Sequence, residues 1–262
     1  MRPFAVAVAG KGGVGKTTLA ALLVEELRRR GTVLAVDADP NCNLGEALGM
    51  EFERTIGQLR DEILERIADL PPGVPKDQIL ELGLHECLVE DEGVDLLVMG
   101  HGEGPKCYCM VNHVLRRAIG TLKRNYDYVV LDNEAGMEHL SRRTTQDVDV
   151  LLVVAEPYPV SLRSARRIAG IAGELKLRVG EKYLVLNRAA GGLSPETRAL
   201  VGETGLPLLA KIPHDPGLEE LSFKGRPLSE LPLDSLARRA VAEMVARLLP
   251  ERRGKWALRS RT

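Results

Sequence analysis

Residues 10–18, Gly10-Lys11-Gly12-Gly13-Val14-Gly15-Lys16-Thr17-Thr18, satisfy the spacing G-x-x-x-x-G-K-[ST]. Glycines at these places let consecutive backbone N–H groups turn inward as a nest for an anion. The stretch follows an apolar strand-like run and opens a helical period, so a helix N-terminus adds about half a positive charge. Lys16 is spaced to reach the β- and γ-phosphates of a nucleotide, and the Thr17 hydroxyl to hold Mg²⁺. Gly12, Gly13, Val14, Gly15 and Thr18 supply the remaining cradle. Two acidic positions complete the set: Asp37-Ala38-Asp39-Pro40 and Asp132-Asn133-Glu134-Ala135-Gly136, each ending a later apolar run. A carboxylate after the second run orders Mg²⁺ waters or holds an attacking water. A single strand-end Asp is commonly a helix N-cap, but three around a phosphate loop point to chemistry.

Cys107-Tyr108-Cys109 is the second group with chemical potential. It lies in a polar loop, Gly100-His-Gly-Glu-Gly-Pro-Lys106, before a helix expected near Val111. Two thiols at i and i+2 do not supply four ligands to one ion, whereas a two-fold axis between loops brings in a second pair. Four thiolates suit Zn²⁺ in a tetrahedron, and a square-planar arrangement suits Ni²⁺. Cys42 and Cys87 read as small buried or half-buried thiols. His85, His101 and His113 read as structural or solvent-facing, and His139 as a residue that transmits a change.

These residues need a scaffold, and the apolar runs describe one. Phe4–Ala9, Val33–Val36, Leu96–Met99, Tyr128–Leu131, Val150–Ala155, Tyr183–Leu186 and Leu208–Ile212 are continuous rather than alternating. Such runs are buried on both faces, as in a parallel sheet covered by helices. Helical periods lie between them, with Leu19, Leu22, Leu23 and Leu27 on one face and Leu162, Ala165, Ala169, Ala172 and Leu175 on another. Strand–helix alternation predicts an α/β, doubly wound, mostly parallel sheet in one domain, with ligands at the strands' carboxyl ends. The domain is expected over 1–250, with a mainly helical insertion at about 51–92 and a basic tail at 251–262.

With 262 residues, 44% apolar and 28% charged, the chain has the composition of an ordinary globular protein. No run approaches the ~18 apolar residues of a spanning helix, and no secretory signal is expected. Its net charge of -1 and 3% aromatic content give no field or stacking platform for nucleic acid. A cytoplasmic protein without membrane or nucleic-acid partners is expected.

With Lys11 at its head, the loop G-K-G-G-x-G-K-T resembles that of the deviant Walker A, or deviant P-loop, ATPases. That family includes the nitrogenase iron protein, division-site and partition ATPases, and metal-site maturation ATPases. The resemblance implies that Lys11 reaches across a two-fold dimer to the other subunit's nucleotide, with the charge logic of an arginine finger. It makes Asp39 the water-activating residue, Asp37 a support of the metal, Asp132 the Walker B aspartate and Gly136 the sensor of the γ-phosphate. Leu186-Asn187-Arg188-Ala189 lacks the Asn-Lys-x-Asp of a GTPase. Family ATPases set such an Asn against adenine, so ATP/ADP is expected, with Asn187 and Arg188 at the base and Pro213 in the other base loop.

Within that family the chain is similar to the CooC-type nickel-insertion ATPases that mature carbon monoxide dehydrogenase. The matching stretches are Gly10–Thr18, Asp37–Pro40, Cys107-Tyr-Cys109, Asp132-Asn-Glu-Ala-Gly-Met-Glu-His-Leu140 and Glu156-Pro157. The resemblance implies a homodimer that carries Ni²⁺ or Zn²⁺ between its cysteine pairs. Powered by ATP, it would load nickel into apo carbon monoxide dehydrogenase or acetyl-CoA synthase. Two other readings compete. A nitrogenase-iron-protein-like electron donor would need a cysteine in the second switch, and Asp132–Leu140 has none. A positioning or partition ATPase finds support in the basic tail but leaves the cysteine pair without a role.

Overall fold

The computed structural model describes residues 2–66, 82–100, 119–134, 147–174, 178–189 and 191–249. Its strands are β1 (Phe4–Gly10), β2 (Val33–Ala38), β3 (Leu88–Asp91), β4 (Val94–Val98), β5 (Tyr128–Asn133), β6 (Asp147–Ala155), β7 (Arg178–Leu186) and β8 (Leu208–Lys211). Its helices are α1 (Lys16–Leu27), α2 (Asn43–Leu48), α3 (Ile56–Arg66), α4 (Pro159–Glu174), α5 (Pro195–Glu203), α6 (Pro216–Phe223) and α7 (Leu236–Leu248).

The strands form one sheet in the order β3-β4-β2-β5-β1-β6-β7-β8. Every neighbouring pair is parallel except β3–β4. Continuous apolar runs end up split between two faces because successive side chains point oppositely. Ala5, Ala7 and Ala9 of β1 pack under α4 and α3 with Leu162, Ala165, Ile56 and Leu59. Val6 and Val8 pack on the other face with Leu19, Leu22 and Leu23 of α1 and Val241 and Met244 of α7. Helix α1 is buried nearly all round, since α7 covers the side that the sheet does not. Each such leucine is worth about 2 kcal/mol of burial, so the phosphate loop that α1 begins is mounted on a rigid element. The fold expected from the sequence is therefore the one observed.

Local expectations change in places. The segment 51–92 is helical over Ile56–Arg66 and again over 82–86, its residues 67–81 lie outside the described residues, and Leu88–Asp91 is an antiparallel edge strand. It turns back on β4 through Glu92-Gly93, with Gly93 at φ 75°, a conformation that favours glycine. The last apolar run ends one residue early as strand, at Lys211, while Ile212 stays in the core. The tail lies outside the described residues, and no helix among those described is long and apolar enough to cross a membrane.

Candidate functional site

Strand β1 lies between β5 and β6, where the order of the chain through the sheet reverses. The crevice outside a switch point of this kind is where open α/β sheets hold ligands. The loop leaving β1 there is residues 11–15. Gly10 has no room for a side chain, because a Cβ would lie 2.6 Å from the Val154 carbonyl of β6. Gly13 and Gly15 adopt φ 80° and 88°, and Gly15 is the N-cap of α1. Val14 is buried in the core and pins the loop from below. Lys11, Gly12 and Gly13 are exposed, and Thr17 and Thr18 are half-buried at the helix start. The Lys16 ammonium curls back over the loop and donates to the Lys11 carbonyl at 3.4 Å. A loop turned by glycines at positive φ, at a helix N-terminus and closed by one buried cation, fits a phosphate group.

Asp37 and Asp132 are both fully buried and stand opposite each other in the β2–β5 register. Asp37 is engaged: its Oδ1 accepts from the Asp39 N–H at 3.0 Å and its Oδ2 from the Leu44 N–H at 2.9 Å. It thus shapes the turn from β2 into α2. Burial pushes its pKa up to about 6 against the pull of those two amides, with the Asp39 charge adding to the rise. Asp132 has no hydrogen-bond partner at either oxygen among the described residues. Burial lifts its pKa to about 7; the nearby Thr17 hydroxyl and Lys16 oppose the rise, while Asp37 and Asp39 reinforce it. An unpartnered buried carboxylate beside a Thr hydroxyl is a donor set of hard oxygens, as Mg²⁺ requires. Asp39 is half-buried, and its Oδ1 accepts from the Asn41 N–H at 3.0 Å and Nδ2 at 2.8 Å.

A cavity of about 570 Å³ opens beside the phosphate loop, within the range of small-molecule sites. Thr17, Thr18, Asn187, Arg188, Pro213 and His214 line it, so the loop and both expected base-side segments converge. Asn187 Nδ2 donates to the Val14 carbonyl at 2.8 Å. Arg188 Nη1 donates to the Gly13 carbonyl at 3.3 Å and to Glu156 at 2.9 Å. Asp215 fixes the far wall. It caps α6 by accepting from the Gly217 N–H at 2.9 Å, and accepts from Ser235 and the Ala237 N–H at the start of α7. Although burial opposes it, the Ser235 hydroxyl and these amides hold the Asp215 carboxyl below its ordinary pKa.

Other expected residues separate. Gly136, Cys107 and Cys109 lie outside the described residues, as do His101, His113 and His139. Cys87 is buried, its thiol faces the Thr55 carbonyl at 3.6 Å, and burial pushes it up to about 11. Cys42 is the N-cap of α2, at φ 54°; burial and the charges of Asp37 and Asp39 raise its pKa and favour the thiol. No group of three or more potential ligands forms among the described residues. Sequence reasoning did not find the His214–Glu219 pair at the cavity wall, 2.8 Å apart. It also missed the buried Glu25–Arg238 pair, 3.4 Å apart, which ties α1 to α7. No local pattern signals a partner 213 positions away.

Comparison with known proteins agrees with this geometry. The family model of the CobQ/CobB/MinD/ParA nucleotide binding domain matches residues 5–228. An uncharacterized ATP-binding protein of Methanocaldococcus jannaschii is 41% identical over 251 residues, covering 93% of this chain and 98% of the relative. The carbon monoxide dehydrogenase accessory protein CooC of Rhodospirillum rubrum is 34% identical over 185 residues, covering 66% and 70% respectively. Among solved structures, the MinC:MinD cell division protein complex of Aquifex aeolicus aligns with a TM-score of 0.68 at 25% identity, over 95% of this chain and 96% of that one. With the phosphate loop at the sheet's switch point and the match running through both carboxylate strands, the chain belongs to the CobQ/CobB/MinD/ParA nucleotide-binding family and is a P-loop ATPase.

Proposed function

We propose that this ATPase is a cytoplasmic homodimer that assists nickel insertion into carbon monoxide dehydrogenase or a related nickel enzyme. The observation that carries the reading is the co-occurrence, in one chain, of the Lys11-type loop and Cys107-Tyr-Cys109. The similarity to CooC supports it. In this reading the inward amides of residues 12–16 bind the β-phosphate and Lys16 swings from the Lys11 carbonyl to the γ-phosphate. Thr17 and Asp132 hold Mg²⁺, which when bound neutralises phosphate charge. Asp37 sets the turn that carries Asp39, and Asp39 takes the proton of the attacking water. Asn187 and Pro213 meet the adenine, with Arg188 beside them, and Gly136 senses the γ-phosphate. The transported ion is Ni²⁺ or Zn²⁺, held by the cysteine pairs of two chains.

A second reading, a division-site or partition-like ATPase, is favoured by the alignment with MinD along almost the whole chain. It assigns the cysteines no task. The test is activation of apo carbon monoxide dehydrogenase by Ni²⁺ with this protein and ATP. Activation above Ni²⁺ alone, lost in Lys16→Ala, is expected. No activation, with ATP-dependent sedimentation on lipid vesicles or DNA, would support the second reading instead.

A further inference from the structure

Two consecutive side chains after β7 hold two consecutive carbonyls of the phosphate loop. Asn187 holds that of Val14 at 2.8 Å, and Arg188 that of Gly13 at 3.3 Å. The Arg188 Nη1 is itself shared with Glu156 Oε1 at 2.9 Å. Glu156 in turn is fixed through its backbone N–H, which donates to Ser161 Oγ of α4 at 2.9 Å. Arg188 takes φ 52°, one of two left-handed non-glycine residues among those described. Asn187 is kept in strand register by its own N–H, which donates to the Ala155 carbonyl at 2.8 Å. Both residues therefore approach the loop from a fixed base.

The peptide plane gives this contact its consequence. In a trans peptide the C=O and the following N–H point in opposite directions. Holding the Gly13 carbonyl toward Arg188 turns the Val14 N–H the opposite way, and holding the Val14 carbonyl toward Asn187 does the same for the Gly15 N–H. Glycine-flanked peptides rotate freely otherwise, and Gly13 and Gly15 flank these at φ 80° and 88°. A Cβ on Gly15 would sit 2.3 Å from Asn187 Nδ2, so the absence of a side chain is what lets Asn187 in.

We infer that Arg188, anchored by Glu156, is a positioning residue for the phosphate cradle: it acts through the Gly13–Val14 peptide rather than on the base. The inference rests on the nucleotide-site reading given above. Its test is titration of ADP and GDP against wild type, Arg188→Ala and Glu156→Ala, with thermal melts of each apo protein. Arg188→Ala should weaken ADP and GDP by the same factor, about tenfold, the scale of one hydrogen bond from a charged donor. Glu156→Ala should also weaken both, by about threefold, although it removes a negative charge beside an anion site. The apo melting temperatures should stay close to wild type, because the Arg188 side chain is 48% accessible and that of Glu156 24%, and an ion pair that open to solvent contributes little to stability. Unchanged affinity in Arg188→Ala overturns the inference. So does a loss confined to ADP, which marks a base contact, or tighter binding in Glu156→Ala, which marks simple charge. A fall in apo melting temperature overturns it as well, by marking a merely structural role. A wild-type chain that takes neither nucleotide overturns the site reading itself.

Discussion

Asp37 and Asp132 stand in register on adjacent strands, equally buried, and are used in opposite ways. Asp37 accepts two backbone hydrogen bonds that shape the turn into α2, whereas Asp132 accepts none among the described residues. Burial raises both, to about 6 and about 7. Strands in a sheet lie about 4.8 Å apart, so two charges there oppose each other until a cation arrives.

A pH dependence with a definite sign follows. Both folded-state values lie above the ordinary aspartate value of 3.8, so the native apo protein keeps protons that the unfolded chain releases. The stability this contributes is complete below about pH 4 and is lost as pH rises through 6 and 7. Denaturant melts of the apo protein should show falling stability from pH 5 to pH 8. Asp132→Asn should flatten that slope and stabilise the apo protein at pH 8 by roughly 2–4 kcal/mol. The same substitution should remove the Mg²⁺-dependent gain in nucleotide affinity. An unchanged pH slope in Asp132→Asn would sink the assignment of the raised value to this carboxyl.

The role proposed for Asp39 has a different signature. Its Oδ1 is held by Asn41 in an exposed turn, close to Asp37 but outside the buried pair. Asp39→Ala should leave nucleotide binding near wild type and slow hydrolysis by ~10²-fold or more, the usual scale for a positioned base. Lys16→Ala should abolish turnover outright. Phosphate release at the wild-type rate in Asp39→Ala would remove this residue from the reaction.

How much of this was legible in the residues follows from locality. The loop at 10–18 is a contiguous spacing whose meaning depends only on a preceding strand and a following helix, and both are there. The core runs were legible because burial on two faces leaves no polar alternation to misread. Strand β3 was hidden in a stretch with a good helical period, and only Glu92-Gly93 marked the hairpin. The contacts of Asn187 and Arg188 with the loop were beyond reach for a physical reason. A side chain reaching a carbonyl 173 or 175 positions away is fixed by sheet order, which periodicity does not encode.

Lys11 is exposed at the mouth of the loop while Lys16 lies buried within it. One loop therefore presents two lysines in different environments, one buried and one open to solvent. If Lys11 neutralises phosphate on the other chain, ATP should favour the dimer. Lys11→Ala should then leave a monomer that still binds nucleotide. Sedimentation velocity with ATP reads the outcome, and a wild-type dimer in that variant would defeat the role in trans.

The metal prediction joins the sequence's two chemical groups. If Cys107 and Cys109 of two chains form one site, stoichiometry must be one Ni²⁺ or Zn²⁺ per two chains. The bound groups are thiolates, so affinity should fall as pH drops. Metal and ATP favour the same closed dimer in this scheme, so each should tighten the other's binding by the same factor. Replacing either cysteine by Ser cuts the thiolate supply from four per dimer to two. Tight binding and metal-driven dimerisation should be lost together, while a residual ATPase rate survives, because the phosphate loop and both carboxylate strands are built without them. Cys87 offers no substitute, since its thiol is buried against the Thr55 carbonyl and pushed up to about 11. Metal titration of the double variant Cys107→Ser, Cys109→Ser, followed by sedimentation, decides the matter. One tightly bound ion per dimer in that variant would place the site elsewhere in the chain and remove the cysteine pair from the proposed transfer of nickel.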